Sequence, residues 1–298
     1  MIEIKNSPEG EPHYPDLFQA ADKASEDAQR LNSRLIIIEY ALLIGTALLA
    51  MLGTVIKLNS GLYVAMFIGL GGIATAAHIM RPDHKWYHSR AMAESVKSVA
   101  WSYMMRAAPF ADTDNPVDLR ARFAKRLDAI LTNSQTLGAP VAPNATSQGQ
   151  ITKDMKHLRA LSVAERLSIY LKERVDNQCN WYLAKSETNK RRAFLWYLAI
   201  IAIYVLPAIA ILGLGDDAVE ENWPTYSLFL LLGSCALGWT KAKRFRELAA
   251  SYALTVQEIT ILKSTAEDVK NESDISDFVE SAERAFSREH TQWVARRS

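Results

Sequence analysis

Four stretches of the chain are almost free of charge, and three of them are long enough to cross a lipid bilayer as they stand. They are residues 35–56 (LIIIEYALLIGTALLAMLGTVI), 61–80, 193–214 and 225–239. A bilayer core needs roughly 20 apolar helical residues at ~1.5 Å rise each. The first three runs reach that length, and the fourth does so when it is taken as 223–240. Trp223 and Trp239 then stand at the two interfaces, where amphipathic rings are favoured. A soluble α/β domain would spread its apolar residues with a period near 2 or 3.6. Here everything outside the four runs is dense in Lys, Arg, Asp and Glu, so the net charge of +1 averages two unlike regions. These features predict an all-α integral membrane protein. Its expected build is two repeated two-span units, four transmembrane helices in all, with long cytoplasmic helices. Residues 1–34 are polar with no early apolar core, so no signal peptide is expected.

Flanking charges set the orientation. Residues 57–60 separate the first two runs, and an acidic segment, 215–222, with Asp216, Asp217, Glu220 and Glu221, separates the last two. The other flanks are basic. Arg30 and Arg34 precede the first run, and Arg81, Lys85 and Arg90 follow the second. Lys190, Arg191 and Arg192 precede the third, and Lys241, Lys243, Arg244 and Arg246 follow the fourth. Basic flanks are retained on the cytoplasmic side. Both short connections are therefore expected outside, and 1–34, 81–192 and 240–298 inside. That is a multi-pass protein of the inner (cytoplasmic) membrane with both termini cytoplasmic.

The same order of segments recurs along the chain. Trp86 and Glu94 follow the second run at the interval that separates Trp239 from Glu247. Lys23-Ala24-Ser25-Glu26 before the first run is echoed by Ala184-Lys185-Ser186-Glu187 before the third. Both copies would share one topology, which argues against inverted-repeat transporter designs. The expected division is 1–135 for the first unit (spans 35–56 and 61–80) and 136–150 for a linker. The second unit is then 151–298, with spans 193–214 and 223–240. The linker is rich in Pro, Gly and small polar residues and reads as flexible. Its Asn144-Ala145-Thr146 is a glycosylation triplet on the wrong side of the membrane.

Ser162-Val163-Ala164-Glu165 has the form of a capping box. The helix it opens is expected to run into the third span, about 75 Å at 1.5 Å per residue. A helix from about Lys85 to Arg106 should stop before Pro109, and Asn115-Pro116 should start another. Ile275, Phe278, Val279, Ala282, Phe286 and Trp293 recur at helical spacing, which predicts an amphipathic C-terminal helix.

Ala100-Trp101-Ser102-Tyr103-Met104-Met105-Arg106-Ala107-Ala108-Pro109-Phe110 resembles the segment that follows the second span in SLATT-type proteins. Tyr170, Arg174, Gln178, Trp181, Tyr182 and Lys185 resemble the helix that precedes a SLATT span pair. The arrangement is similar to a tandem SLATT protein over nearly the whole chain. That resemblance implies a membrane effector of a prokaryotic conflict (anti-phage) system. It would act by pore formation or membrane disruption, causing suicide or arrest of infected cells. Its implied company is a nucleotide-producing or nucleotide-sensing cytosolic partner.

Glu39 is an acid inside a span, about one turn from the cytoplasmic end, and His78 lies at a similar depth in the second run. They read as a polar, pH-sensitive pair at an inner pore mouth; alternatively, Glu39 snorkels and pairs with Arg34 at the headgroups. Ala65, Gly69, Gly72 and Ala76 in the second run, with Ser234 and Gly238 in the fourth, suit close helix packing. That packing is either between subunits of a homo-oligomer or within one chain. Gly69-Leu70-Gly71-Gly72 lacks a preceding strand and is no nucleotide loop. His84 and His88 stand at i, i+4 with no further ligand nearby, so no metal is expected. Cys179 and Cys235 are too differently placed to suggest a disulfide. Nothing in the motifs argues for an enzyme or a cofactor, and the balanced charge argues against nucleic acid.

Three functions compete. An oligomeric pore gated by its cytoplasmic helices needs several copies, because four short-looped spans enclose no wide channel. A membrane-anchored scaffold would recruit a cytosolic partner without conducting ions. A transporter is weakened by the few intramembrane polar residues and the parallel repeat. Cysteine labelling on intact cells tests the topology. An impermeant reagent should modify a cysteine placed at Ala218 and miss one at Asn144, and the reverse pattern would overturn the orientation.

Overall fold

The computed structural model describes residues 12–53, 59–111, 115–136, 149–214 and 216–295. It leaves aside the helical side chains of 135–136, 214, 216–222 and 288–295. Residues 137–148 of the expected flexible linker (within them Asn144), Lys57, Leu58 and the Trp293 side chain therefore lie outside what is described.

Short polar side chains start several helices by taking up backbone N–H groups that a helix leaves unpaired. Asn59 accepts from the Gly61 amide at 2.8 Å ahead of α2 (Ser60–Met80). Asn115 accepts from Val117 at 3.0 Å ahead of α4 (Pro116–Thr136). Thr152 accepts from Met155 at 3.2 Å ahead of α5 (Lys153–Ala160). The capping box at Ser162 and Glu165 is formed in both directions and opens α6 (Val163–Tyr170). At α10 (Glu272–Ala295), Asn271 accepts from Ser273 and Asp274, and Asp274 accepts in return from Asn271. A π-helical turn, Leu171–Asp176, joins α6 to α7 (Asn177–Leu214) without a break. The expected long helix from the capping box to the third apolar run is thus present, with one turn of altered register.

Two compact units emerge, and neither is a continuous piece of chain. One draws on 1–29, 83–184 and 251–298, the other on 30–82 and 185–250. The first contains α3 (Pro82–Met104), α4, α5, α6 and α10, with parts of α1 (Asp16–Gly53), α7 and α9 (Phe245–Ser264). Trp101, Met104, Met105, Phe110, Phe123, Met155, Tyr170, Ile259 and Ile275 form its buried core. Each contributes about 1.5–3 kcal/mol by leaving water. The amphipathic face of α10 completes that core with Phe278, Val279, Ala282 and Phe286.

The second unit is apolar outward. Asp16–Gly53, Ser60–Met104 and Val163–Gly213 each hold an 18-residue window apolar enough to cross a membrane, with 0% of each window buried. Phe67 is 64% exposed and Leu212 86%. Exposure of this kind costs about 25 cal/mol per Å² in water and nothing against lipid tails. The fourth apolar run lies in α8 (Asp216–Lys243), which is not among these three stretches. The segment 215–222, expected as an outer loop, is instead helical from Asp216 onward and forms the first turns of α8. Acids at a helix N-terminus are favoured by its dipole, which explains why this acidic stretch joins the helix.

Within this unit the glycines of α8 receive tyrosines. A Cβ on Gly233 would lie 2.3 Å from Tyr204 Cζ of α7, and one on Gly238 would lie 2.8 Å from Tyr40 Oη of α1. Tyr63 of α2 donates to the Leu49 carbonyl of α1 at 2.9 Å. A Cβ on Gly69 would make ordinary contact with Leu42 at 3.6 Å, and one on Gly72 would meet nothing within 4 Å. The breaks between α2 and α3 and between α8 and α9 each carry an arginine in the left-handed region, Arg81 (φ 42) and Arg244 (φ 49). Trp86 follows its break whereas Trp239 precedes its own, so the matching Trp–Glu intervals do not mark equivalent places.

Gly233→Leu should therefore lower the thermal midpoint of the detergent-solubilised protein, and adding Tyr204→Ala should recover much of the loss. Gly72→Leu should leave the midpoint unchanged. Circular dichroism melts of the three variants provide the check.

Candidate functional site

The C-terminus of α3 is where the first family-like motif does its structural work. Arg106 adopts a left-handed conformation (φ 54), its amide bonding the Tyr103 carbonyl at 3.3 Å. The Ala107 amide bonds the Ser102 carbonyl at 2.9 Å. This pair of bonds is a Schellman cap, a position usually given to glycine. Arginine is kept there although the conformation costs about 1–2 kcal/mol. Its Nε donates to the Arg159 carbonyl at 2.9 Å. Two buried arginines close the same helix end. Arg159 donates to the Tyr103 and Phe110 carbonyls at 2.6 and 2.8 Å. Arg166, fully buried, donates to the Met105 carbonyl at 2.6 Å and pairs with Glu272. Cations at the negative end of a helix are favoured on both hydrogen-bond and dipole grounds.

The second motif converges on the first. Trp101 and Tyr170 are fully buried and meet edge to face at 5.4 Å. Trp101 donates its indole N–H to Tyr14 at 3.1 Å. Tyr103 packs on Phe110 and Phe123, and Pro109 follows a cis peptide bond. Tyr182 is buried and Trp181 half-exposed, and both rings contact Tyr252 of α9. Gln178 is half-buried on the same helix.

Arg174, in the π turn, is 1% exposed at its side chain. Its Nε and Nη2 donate to the two oxygens of Glu283 on α10 at 3.0 and 2.7 Å. Tyr170 donates to the same carboxylate at 2.9 Å, and Ser98 of α3 at 2.7 Å. Burial works against the charge on Arg174, but the Glu283 carboxylate outweighs it and holds the pKa above the usual guanidinium value. Burial, then the Glu283 charge, pushes the Tyr170 phenol well up, so it stays neutral and donates. Glu94 stands 3.8 Å from Arg174 Nη1 and is paired with Arg90 at 2.7 Å. Arg90 in turn reaches Asp22 of α1 at 3.3 Å. Burial raises the Asp22 pKa, partly offset by Arg90. One chain of charges thus joins α1, α3, the π turn and α10. A π turn inside an α-helix is frequently a functional feature.

The other expected site residues lie elsewhere. Glu39 is half-buried and His78 exposed, and no hydrogen bond or ion pair joins them among the described residues. Ala65, Gly72 and Ser234 are exposed, Gly69, Ala76 and Gly238 half-buried. The His84 and His88 rings are 6.3 Å apart, and no metal-holding group of three or more ligands occurs among the described residues. Arg159, Arg166, Glu272 and Glu283 were not singled out from the sequence. Glu283 carried a signal, because it is an acid beside the apolar stripe of α10. Gly233, the tightest helix approach, was also missed.

Removing Glu283 alone should strand the buried guanidinium and destabilise the unit by about 3–5 kcal/mol. Replacing both partners, Arg174→Met with Glu283→Leu, should cost much less. Thermal unfolding of Glu283→Ala against the double variant measures the difference.

Two family models match the chain in tandem. Residues 15–167 match SMODS and SLOG-associating 2TM effector domain 3. Residues 170–293 match SMODS and SLOG-associating 2TM effector domain 1. No curated protein and no solved structure matches the chain.

Proposed function

Since the chain belongs to the SLATT family, the SMODS- and SLOG-associating two-transmembrane effector domains, we propose that it is a membrane effector of a prokaryotic conflict system. It assembles as a homo-oligomer that conducts ions or disrupts the inner membrane when its cytoplasmic helices receive a signal. The observation that carries this reading is the wholly unburied apolar surface of the long helices, a surface suited to lipid. The basic flanks favour a four-span, multi-pass arrangement with both termini cytoplasmic, α8 supplying the fourth crossing. α1 and the Val163–Leu214 helix carry residues of both units. A change in the charged unit can therefore be transmitted along continuous helices. Open space at Gly72 suits a contact with a second copy. The reading assigns the chain no catalytic chemistry and leaves production or sensing of a nucleotide to a cytosolic partner.

Glu39 is the candidate for the conducting path. A carboxylate facing lipid is unfavourable by roughly 2.5–3.5 kcal/mol at mid-membrane, so a water-filled mouth is its favoured surroundings. Purified protein in planar bilayers should give cation-preferring currents, and Glu39→Gln should reduce conductance or cation preference with insertion intact. A silent bilayer containing inserted protein would favour the scaffold role instead.

A further inference from the structure

A cavity of about 550 Å³ opens in the charged unit against α3, α4, the π turn and α10. Small-molecule sites commonly enclose about 300–1,000 Å³. Its apolar wall includes Met92, Ile130 and Phe286, and its lining also carries Arg126, Glu94 and Arg174, the last bound to Glu283. Arg174 supplies the decisive feature. Its Nε and Nη2 are used by Glu283, but the buried Nη1 has no hydrogen-bond partner. Glu94, at 3.8 Å, is too far to accept from it. A buried charged donor left open in this way gains an unusual amount from an acceptor placed against it. Arg126, on α4, is exposed, and no hydrogen bond or ion pair is found for it among the described residues. The hydroxyl of Ser95 adds a donor along the same wall, that of Ser98 being already given to Glu283.

We propose that this cavity binds a small ligand with an apolar body and an oxyanion, the oxyanion held between Arg174 Nη1 and Arg126. The open Nη1 of Arg174 and the guanidinium of Arg126 select an anion, and the guanidinium fork suits phosphate or carboxylate oxygens. The ring of Phe286, which lies 5.0 Å from the Arg174 guanidinium, offers a face for the apolar part. The ligand would touch α3, α4, the π turn and α10 together, so it is placed to act on the charge chain that joins them. The proposal deepens the effector reading by giving the charged unit an input of its own. Occupancy is measured without reference to ion flux, so the two readings fail separately.

Calorimetric titration of the full-length protein in detergent tests it, with phenyl phosphate, phenol and dihexanoyl phosphatidic acid as probes. Phenyl phosphate should bind one to one and about tenfold more tightly than phenol, the neutral comparator. If the phosphatidic acid binds and phenyl phosphate does not, the same oxyanion site takes its ligand from a lipid headgroup. Arg126→Gln, at an exposed position, should keep the thermal midpoint and weaken the binding probe about tenfold. Arg174→Lys keeps a cation for Glu283 but lacks Nη1, and should weaken it at least as much. Neither phosphoester binding, phenyl phosphate binding measurably but no more tightly than phenol, or Arg126→Gln binding like the unaltered protein would each overturn the proposal.

Discussion

Arg174 carries a full charge into the interior of the helical unit, and the Glu283 carboxylate opposite makes that position tenable. A buried pair adds little net stability over an apolar pair, because desolvation consumes most of the attraction. Its consequence is placement. The π turn brings Arg174 and Val175 inward together, and Glu283 then fixes which face of α10 they meet. Tyr170 and Ser98 share the same carboxylate, so α3 is registered against both helices by one group. The Trp101–Tyr170 contact, between the two family-like motifs, sits within this frame.

The second constraint is solvent. Apolar windows with no buried residues are untenable in water and ordinary in lipid, and the helices that contain them also enter the charged unit. The two family-model matches divide the chain near residue 168, whereas each compact unit draws residues from both sides of that point. The tandem domains are therefore interleaved in space. The motifs of each contribute to a shared core, and the apolar runs of each contribute to a shared apolar unit.

Much of this was legible in the sequence because it rests on local rules. The Ser162 capping box, Asn115-Pro116 as a helix start, and the α10 stripe from Ile275 to Phe286 all appear as read. So does the long helix leading to the third apolar run, since only Pro207 and, at its very end, Gly213 work against helical propensity in 163–214. What was not legible depends on residues far apart in sequence. The partner of Arg174 is 109 residues away, and a periodicity argument has no access to that distance. Gly233 looks like any small residue until Tyr204 is placed against it. The acidic stretch after 215 was read as a loop from its charge, although its acids suit a helix N-terminus equally well. The Trp–Glu intervals suggested a repeat register that the left-handed arginines at the two breaks do not share.

The proposed four-span reading puts the apolar faces of α1, α2, α7 and α8 in a bilayer. Spin labels at Ile38, Phe67, Leu206 and Leu230, one at a time in a variant lacking Cys179 and Cys235, test it in lipid nanodiscs. Relaxation by oxygen and by a water-soluble nickel chelate reports the depth of each label. The account predicts high oxygen and low nickel accessibility at all four positions. Nickel accessibility at Leu230 equal to that of a label at exposed Ser95 would remove α8 from the membrane and contradict it.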